Sequence, residues 1–124
     1  MRVLVADDDR DLAQALADCV MACGHEVVDT VSGGGLAVMR SFARHLPDAV
    51  LLDIQMPRCN GLTVCHVLLS RKPATKIIFV SGRAEGDHPM ISGCGAAGYL
   101  QKPVGLVALQ GVLGSPPATA ALCD

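Results

Sequence analysis

Three consecutive carboxylates, Asp7, Asp8 and Asp9, follow a short apolar run near the amino end, and a fourth, Asp53, follows another. Two later apolar runs lead to a hydroxyl, Ser81, and to an ammonium, Lys102, which precedes Pro103. In an open α/β sheet the loops after the carboxyl ends of the strands converge on one crevice. If these runs are strands, all four ends meet there. Carboxylates gathered that closely repel one another unless a cation sits among them, and an oxygen-rich, thiol-free site suits Mg²⁺. The crevice is predicted to bind Mg²⁺.

Each residue also has an ordinary reading. Aspartates before a helix serve as amino-terminal caps, a lone Asp after a strand is commonly a turn residue, and a lone Lys is commonly a solvated charge. One aspartate suffices for capping, and Asp9 is assigned to it. Asp7 and Asp8 are then left over, and their coincidence with Asp53, Ser81 and Lys102 favours a site.

The elements that must position them are legible. Apolar runs at Val3–Ala6, Val27–Val28, Ala49–Leu52, Ile77–Val80 and Gly98–Leu100 suit buried strands. Between them, Leu12, Leu16, Cys19, Val20 and Cys23 recur at helical spacing, as do Leu36, Met39 and Ala43, and then Val64, Val67 and Leu68. Gly24, Pro47 and Pro73 stop these helices, and Gly33–Gly35 opens the second. A fourth helical segment, Asp87–Cys94, contains Pro89 and Gly93, and a fifth, Val104–Leu113, contains two glycines and no charge. Alternation of this kind predicts an α/β domain over residues 1–113 with a parallel sheet covered on both faces. Residues 114–124 begin Gly-Ser-Pro-Pro and read as a flexible tail or truncated linker.

Composition narrows the functions. The chain has 124 residues, 51% of them apolar, enough for a core without disulfides or structural metal. A formal charge of −2 offers no basic surface for direct nucleic acid binding. Six cysteines lack a Cys-x-x-Cys pair and read as reduced, mostly buried thiols; a zinc cluster of Cys19, Cys23 and His25 lacks a fourth ligand at a usual spacing. His66 and His88 likewise read as ordinary histidines. No signal peptide or membrane-length apolar run is present, so a cytoplasmic location without membrane insertion is expected.

The segments Val3-Leu-Val-Ala-Asp7-Asp8-Asp9, Leu51-Leu52-Asp53-Ile54-Gln55-Met56-Pro57 followed by Gly61, Ser81-Gly82, and Gly98-Tyr99-Leu100-Gln101-Lys102-Pro103 resemble the motifs of the response-regulator receiver domains of bacterial two-component signalling. The resemblance spans Arg2 to about Leu113. It implies a flavodoxin-like, doubly wound, five-stranded parallel sheet of order 2-1-3-4-5 with five helices. It also implies that Asp53 is the phosphoacceptor, that Asp8 and Asp53 bind Mg²⁺ directly, that Asp7 acts mainly through metal-bound water, and that the Gln55 carbonyl completes the shell; Mn²⁺ can substitute. Ser81 and Lys102 would hold phosphoryl oxygens, Ser81 and Tyr99 would switch together, Pro57 and Gly61 would be structural, and the bond before Pro103 would be cis. Phosphoryl transfer needs mainly positioning and charge neutralisation, which those groups and a backbone N–H near Gly82 supply.

By the same resemblance the donor is a sensor histidine kinase or a histidine phosphotransfer protein. The output face is formed by the fourth and fifth helical segments and the fifth strand, toward an unknown downstream target. The fifth segment departs from the family by carrying no charge, so charge-laced pairing is not expected, and a monomer or weak dimer is. Gln55 and Arg83 stand where the family tunes the lifetime of the acyl phosphate.

Three rivals share parts of this pattern. A flavodoxin-type protein needs phosphate-cradling donors after the first strand, where three aspartates would repel the ligand. An aspartyl phosphatase wants a carboxylate two residues after its nucleophile, and that position is Gln55, so multiple-turnover hydrolysis is not expected. A pseudo-receiver, a binding module signalling without phosphate, would keep the fold without needing the intact acidic set.

Overall fold

The expected strands extend to their flanking residues as β1 (Arg2–Ala6), β2 (Glu26–Val31), β3 (Ala49–Asp53), β4 (Lys76–Ser81) and β5 (Gly98–Gln101). The structure is a computed structural model and describes residues 1–54, 61–82 and 95–114. The described helices are α1 (Arg10–Ala22), α2 (Gly35–His45), α3 (Gly61–Arg71) and α4 (Leu106–Leu113). The expected segment Asp87–Cys94 and the tail from residue 115 lie outside the described residues, and α4 is the segment expected from Val104.

All strand pairs are parallel, and the sheet order is β2-β1-β3-β4-β5. Parallel strands need crossovers, and the helices that provide them cover both faces. Strand side chains alternate, so each strand feeds two cores. Val3, Val5, Leu51, Ile78, Val80 and Leu100 pack with Leu16 and Val20 of α1 and Leu109 and Leu113 of α4. Leu4, Ala6, Leu52, Ile77 and Phe79 pack with Val38 and Phe42 of α2 and Val64 and Leu68 of α3. This is why β3 is buried along its whole length and reads as an unbroken apolar run.

β2 is four residues longer than its Val27–Val28 seed. It is an edge strand, which tolerates Asp29 and Thr30, and its register against β1 slips between Val3 and Leu4. α4 starts two residues later than expected, because Lys102–Gly105 is spent on the turn out of β5 and Gly105 is extended at φ −92°.

His25 is buried and structural. Its Nδ1 lies 2.9 Å from the Met1 ammonium and its Nε2 lies 3.1 Å from the Gly114 carbonyl, contacts that the tautomer protonated at Nε2 satisfies. Cys23 and Cys65 are buried and Cys19 is half-buried, and none of the three is in a disulfide. Among the described residues Cys19, Cys23 and His25 do not converge on a common point, and the grouping with metal-ligand geometry is the acidic one. Among the described residues no helix is long and apolar enough to cross a membrane.

Candidate functional site

β1 and β3 run side by side with Ala6 opposite Leu52, so the next residues, Asp7 and Asp53, emerge together. Asp7 is fully buried and Asp53 is 3% exposed, while Asp8 is open to solvent. One carboxylate oxygen from each of the three lies within 4.8 Å of the others. Asp9 is separate: its Oδ1 accepts the Asp11 and Leu12 N–H groups at 2.9 and 3.3 Å and caps α1. Asp7 is held in turn, its N–H donating to the Val31 carbonyl and its Oδ1 accepting the Asp9 N–H, each at 3.0 Å.

Lys102 enters from the far side of the sheet. Ser81 pairs with Gln101, the Lys102 N–H donates to the Ser81 carbonyl at 2.7 Å, and the Lys102–Pro103 peptide bond is cis. The Lys102 Nζ lies 2.8 Å from Asp7 Oδ2 and 3.4 Å from Asp53 Oδ2. Partial burial would push this ammonium down, but the contact with Asp7 and the charges of Asp53 and Asp7 outweigh it and hold its pKa above the usual lysine value.

The donor set fits Mg²⁺. Three carboxylates against one ammonium leave a formal charge of −2, and every donor is oxygen. The buried Asp7 Oδ2 has its ion pair to Lys102, but that approach misses hydrogen-bond geometry, and among the described residues the oxygen has no hydrogen-bond partner. A buried carboxylate oxygen so placed retains capacity for a cation or its water.

Ser81 is fully buried at the end of β4, one step past the Val80 that faces Asp53 across the ladder. Among the described residues a Cβ on Gly82 would meet nothing within 4 Å. Tyr99 is half-buried against the α2/α3 core. Gly61 is packed close, since a Cβ there would sit 3.2 Å from the Ile54 Cα. Gln55, Pro57 and Arg83 lie outside the described residues.

The family model for the response regulator receiver domain matches residues 3–113. The chain belongs to the receiver domain family. Among curated relatives, the receiver domain is 36% identical over 107 residues to a protein-glutamate methylesterase/protein-glutamine glutaminase of Archaeoglobus fulgidus, covering 85% of this chain and 30% of that protein. It is 34% identical over 108 residues to the response regulator MprA of Mycobacterium leprae, covering 86% of this chain and 46% of MprA. The chain thus spans less than half the length of these relatives.

Among solved structures, a receiver domain protein of Clostridium thermocellum superposes with a TM-score of 0.81 at 26% identity, covering 90% of each chain. The response regulator TrrA of Thermotoga maritima, solved in complex with Mg²⁺-BeF, gives 0.79 at 28% identity, covering 90% of this chain and 95% of that one.

The sequence reading missed a second polar concavity, beside the end of β2, lined by Arg10, Arg40 and Arg44. Each arginine alone reads as a solvated charge. The spacing of Arg40 and Arg44 on one helix face was the available signal, but only the fold brings Arg10 to them.

Proposed function

We propose that the receiver domain takes a phosphoryl group onto Asp53 from a phosphohistidine of a sensor histidine kinase or a histidine phosphotransfer protein. The reading is carried by Lys102, whose ammonium reaches both Asp7 and Asp53, two of the three clustered carboxylates. An Asp53 oxygen attacks phosphorus, a P–O bond forms, the P–N bond to the donor imidazole breaks, and the imidazole nitrogen keeps the electron pair.

Asp7, Asp8 and Asp53, with the Gln55 carbonyl, would hold Mg²⁺, for which Mn²⁺ can substitute; when bound, the ion neutralises developing charge on the phosphoryl oxygens. Lys102 and Ser81 are the chain's own donors to those oxygens, and Gly82 leaves room for the group to approach by backbone N–H. The domain promotes only its own phosphorylation and dephosphorylation.

Ser81 and Tyr99 are the proposed switch, biasing an existing balance between inactive and active surfaces. The output face combines β5, α4 and the segment before β5. Leu106 and Val107 of α4 are 47% and 83% exposed, which supports an apolar contact with the downstream target. The domain acts in the cytoplasm, as a monomer or weak dimer.

The test is intact mass after incubation with Mg²⁺ and acetyl phosphate. Wild type is expected to gain one phosphoryl group, and Asp53→Ala or chelation of Mg²⁺ to abolish the gain. A folded wild type that stays unmodified even with phosphohistidine donors is a pseudo-receiver instead.

A further inference from the structure

A cavity of about 430 Å³ opens at the carboxyl end of β2; it shares no lining residue with the acidic crevice but adjoins it, the Val31 carbonyl accepting the Asp7 N–H. Arg10 at the start of α1 and Arg40 and Arg44 on one face of α2 line it together with Ser41 and the Thr30–Gly33 turn. All three arginines are exposed, and none has a carboxylate within ion-pair distance among the described residues. The one carboxylate in the lining, Asp29, is engaged elsewhere: its Oδ2 accepts the Ser41 hydroxyl at 2.6 Å and lies 3.9 Å from His45 Nε2.

Three guanidiniums against one carboxylate leave a formal charge of +2 around a single concavity. Three guanidiniums facing one concavity give it a positive potential, and the guanidinium fork matches phosphate oxygens in pairs. The backbone agrees with that sign. α2 starts after Gly33 and Gly34, its amino end has no side-chain cap, and Gly33 and Ala37 line the same cavity. The arginines stand on two helices, Arg10 on α1 and Arg40 and Arg44 on α2, so two linked phosphates can engage both.

We propose that this cavity binds a small ligand carrying two adjacent phosphates, as in inorganic pyrophosphate or a nucleoside diphosphate. The site uses arginine and backbone donors and needs no metal. It is therefore distinguishable from any phosphate chemistry at Asp53.

The experiment is calorimetric titration of the whole chain with pyrophosphate and, separately, with ADP, at low salt and with EDTA to silence the acidic crevice. Binding of pyrophosphate is expected, weakened at least tenfold in the double variant Arg40→Gln/Arg44→Gln, with the ligand-free melting temperature unchanged. ADP binding tighter than pyrophosphate identifies a nucleotide as the source; equal binding means that the diphosphate alone is recognised. Should the double variant fail to fold, Arg10→Gln supplies the same comparison from α1. Absence of binding by both ligands at millimolar concentration overturns the proposal, as does binding that the arginine variants leave unchanged.

Discussion

Lys102 and Ser81 are tied through the backbone, the Lys102 N–H donating to the Ser81 carbonyl at 2.7 Å. This bond continues the β4/β5 ladder one residue past the Ser81–Gln101 pair, so the ammonium is aimed from the rigid end of a strand and not from a free loop. The same ladder that buries Ser81 therefore sets where Lys102 meets Asp7 and Asp53.

Removing that ammonium leaves two buried carboxylates facing each other. Lys102→Ala is expected to lose roughly 1–3 kcal/mol of stability in EDTA, the usual range for a charged contact of limited exposure. Mg²⁺ should recover part of the loss by taking over neutralisation. Urea unfolding with and without Mg²⁺ measures both, and equal losses in the two conditions would sink the charge-balance account.

Asp8 is exposed and has no role in the core, so Asp8→Asn is expected to leave the metal-free protein at least as stable as wild type by relieving repulsion. It should abolish most of the rise in melting temperature that Mg²⁺ gives wild type, because stabilisation by a ligand scales with its affinity for the folded state. An undiminished Mg²⁺ effect in the variant would remove Asp8 from the metal site.

Asp48 predicts an acid limb. The Arg2 N–H, which donates to Asp48 Oδ2 at 2.9 Å, is the main cause holding its pKa below 3.8; partial burial opposes this, and Lys72 at 3.6 Å assists. A carboxyl lowered by folding adds stability above its unfolded pKa, and that contribution disappears as pH falls through the folded value. The stability difference between wild type and Asp48→Asn is expected to be constant from neutral pH down to about pH 5 and to close below about pH 3.8. Urea midpoints across pH 2.5–7 provide the check, and a gap independent of pH would exclude the linkage.

Two glycines beside the site should respond oppositely. A Cβ at Gly61 would lie 3.2 Å from the Ile54 Cα and 3.5 Å from Phe79 Cε1, so Gly61→Ala is expected to cost about 1–3 kcal/mol by overpacking against backbone. At Gly82 a Cβ meets none of the described residues within 4 Å, and Gly82→Ala is expected to stay within about 0.5 kcal/mol of wild type. Chemical denaturation of the pair decides this, the reverse order being the contrary result.

Much of this molecule was legible before its structure. Strands buried on both faces must be apolar throughout, which made β1, β3 and β4 plain as Val3–Ala6, Ala49–Leu52 and Ile77–Val80. β2 was legible only at Val27–Val28, because an edge strand with a register slip carries polar residues that periodicity does not recognise. Asp9 was separable from its neighbours, since a cap has a fixed place before its helix and Asp7 and Asp8 do not share it.

The sequence by itself determined the alternation of strand and helix, the carboxylates that follow the strands, and the motifs that mark a receiver domain, because each depends on residue type and short spacing. Only the tertiary structure decided that Lys102 Nζ stands 2.8 Å from Asp7 and 3.4 Å from Asp53, that Asp7 is buried while Asp8 is open, and that Arg10 joins Arg40 and Arg44 around one cavity. Those relationships join residues far apart in the chain, and parallel pairing, which sets them, is made by non-local contacts that no local pattern encodes.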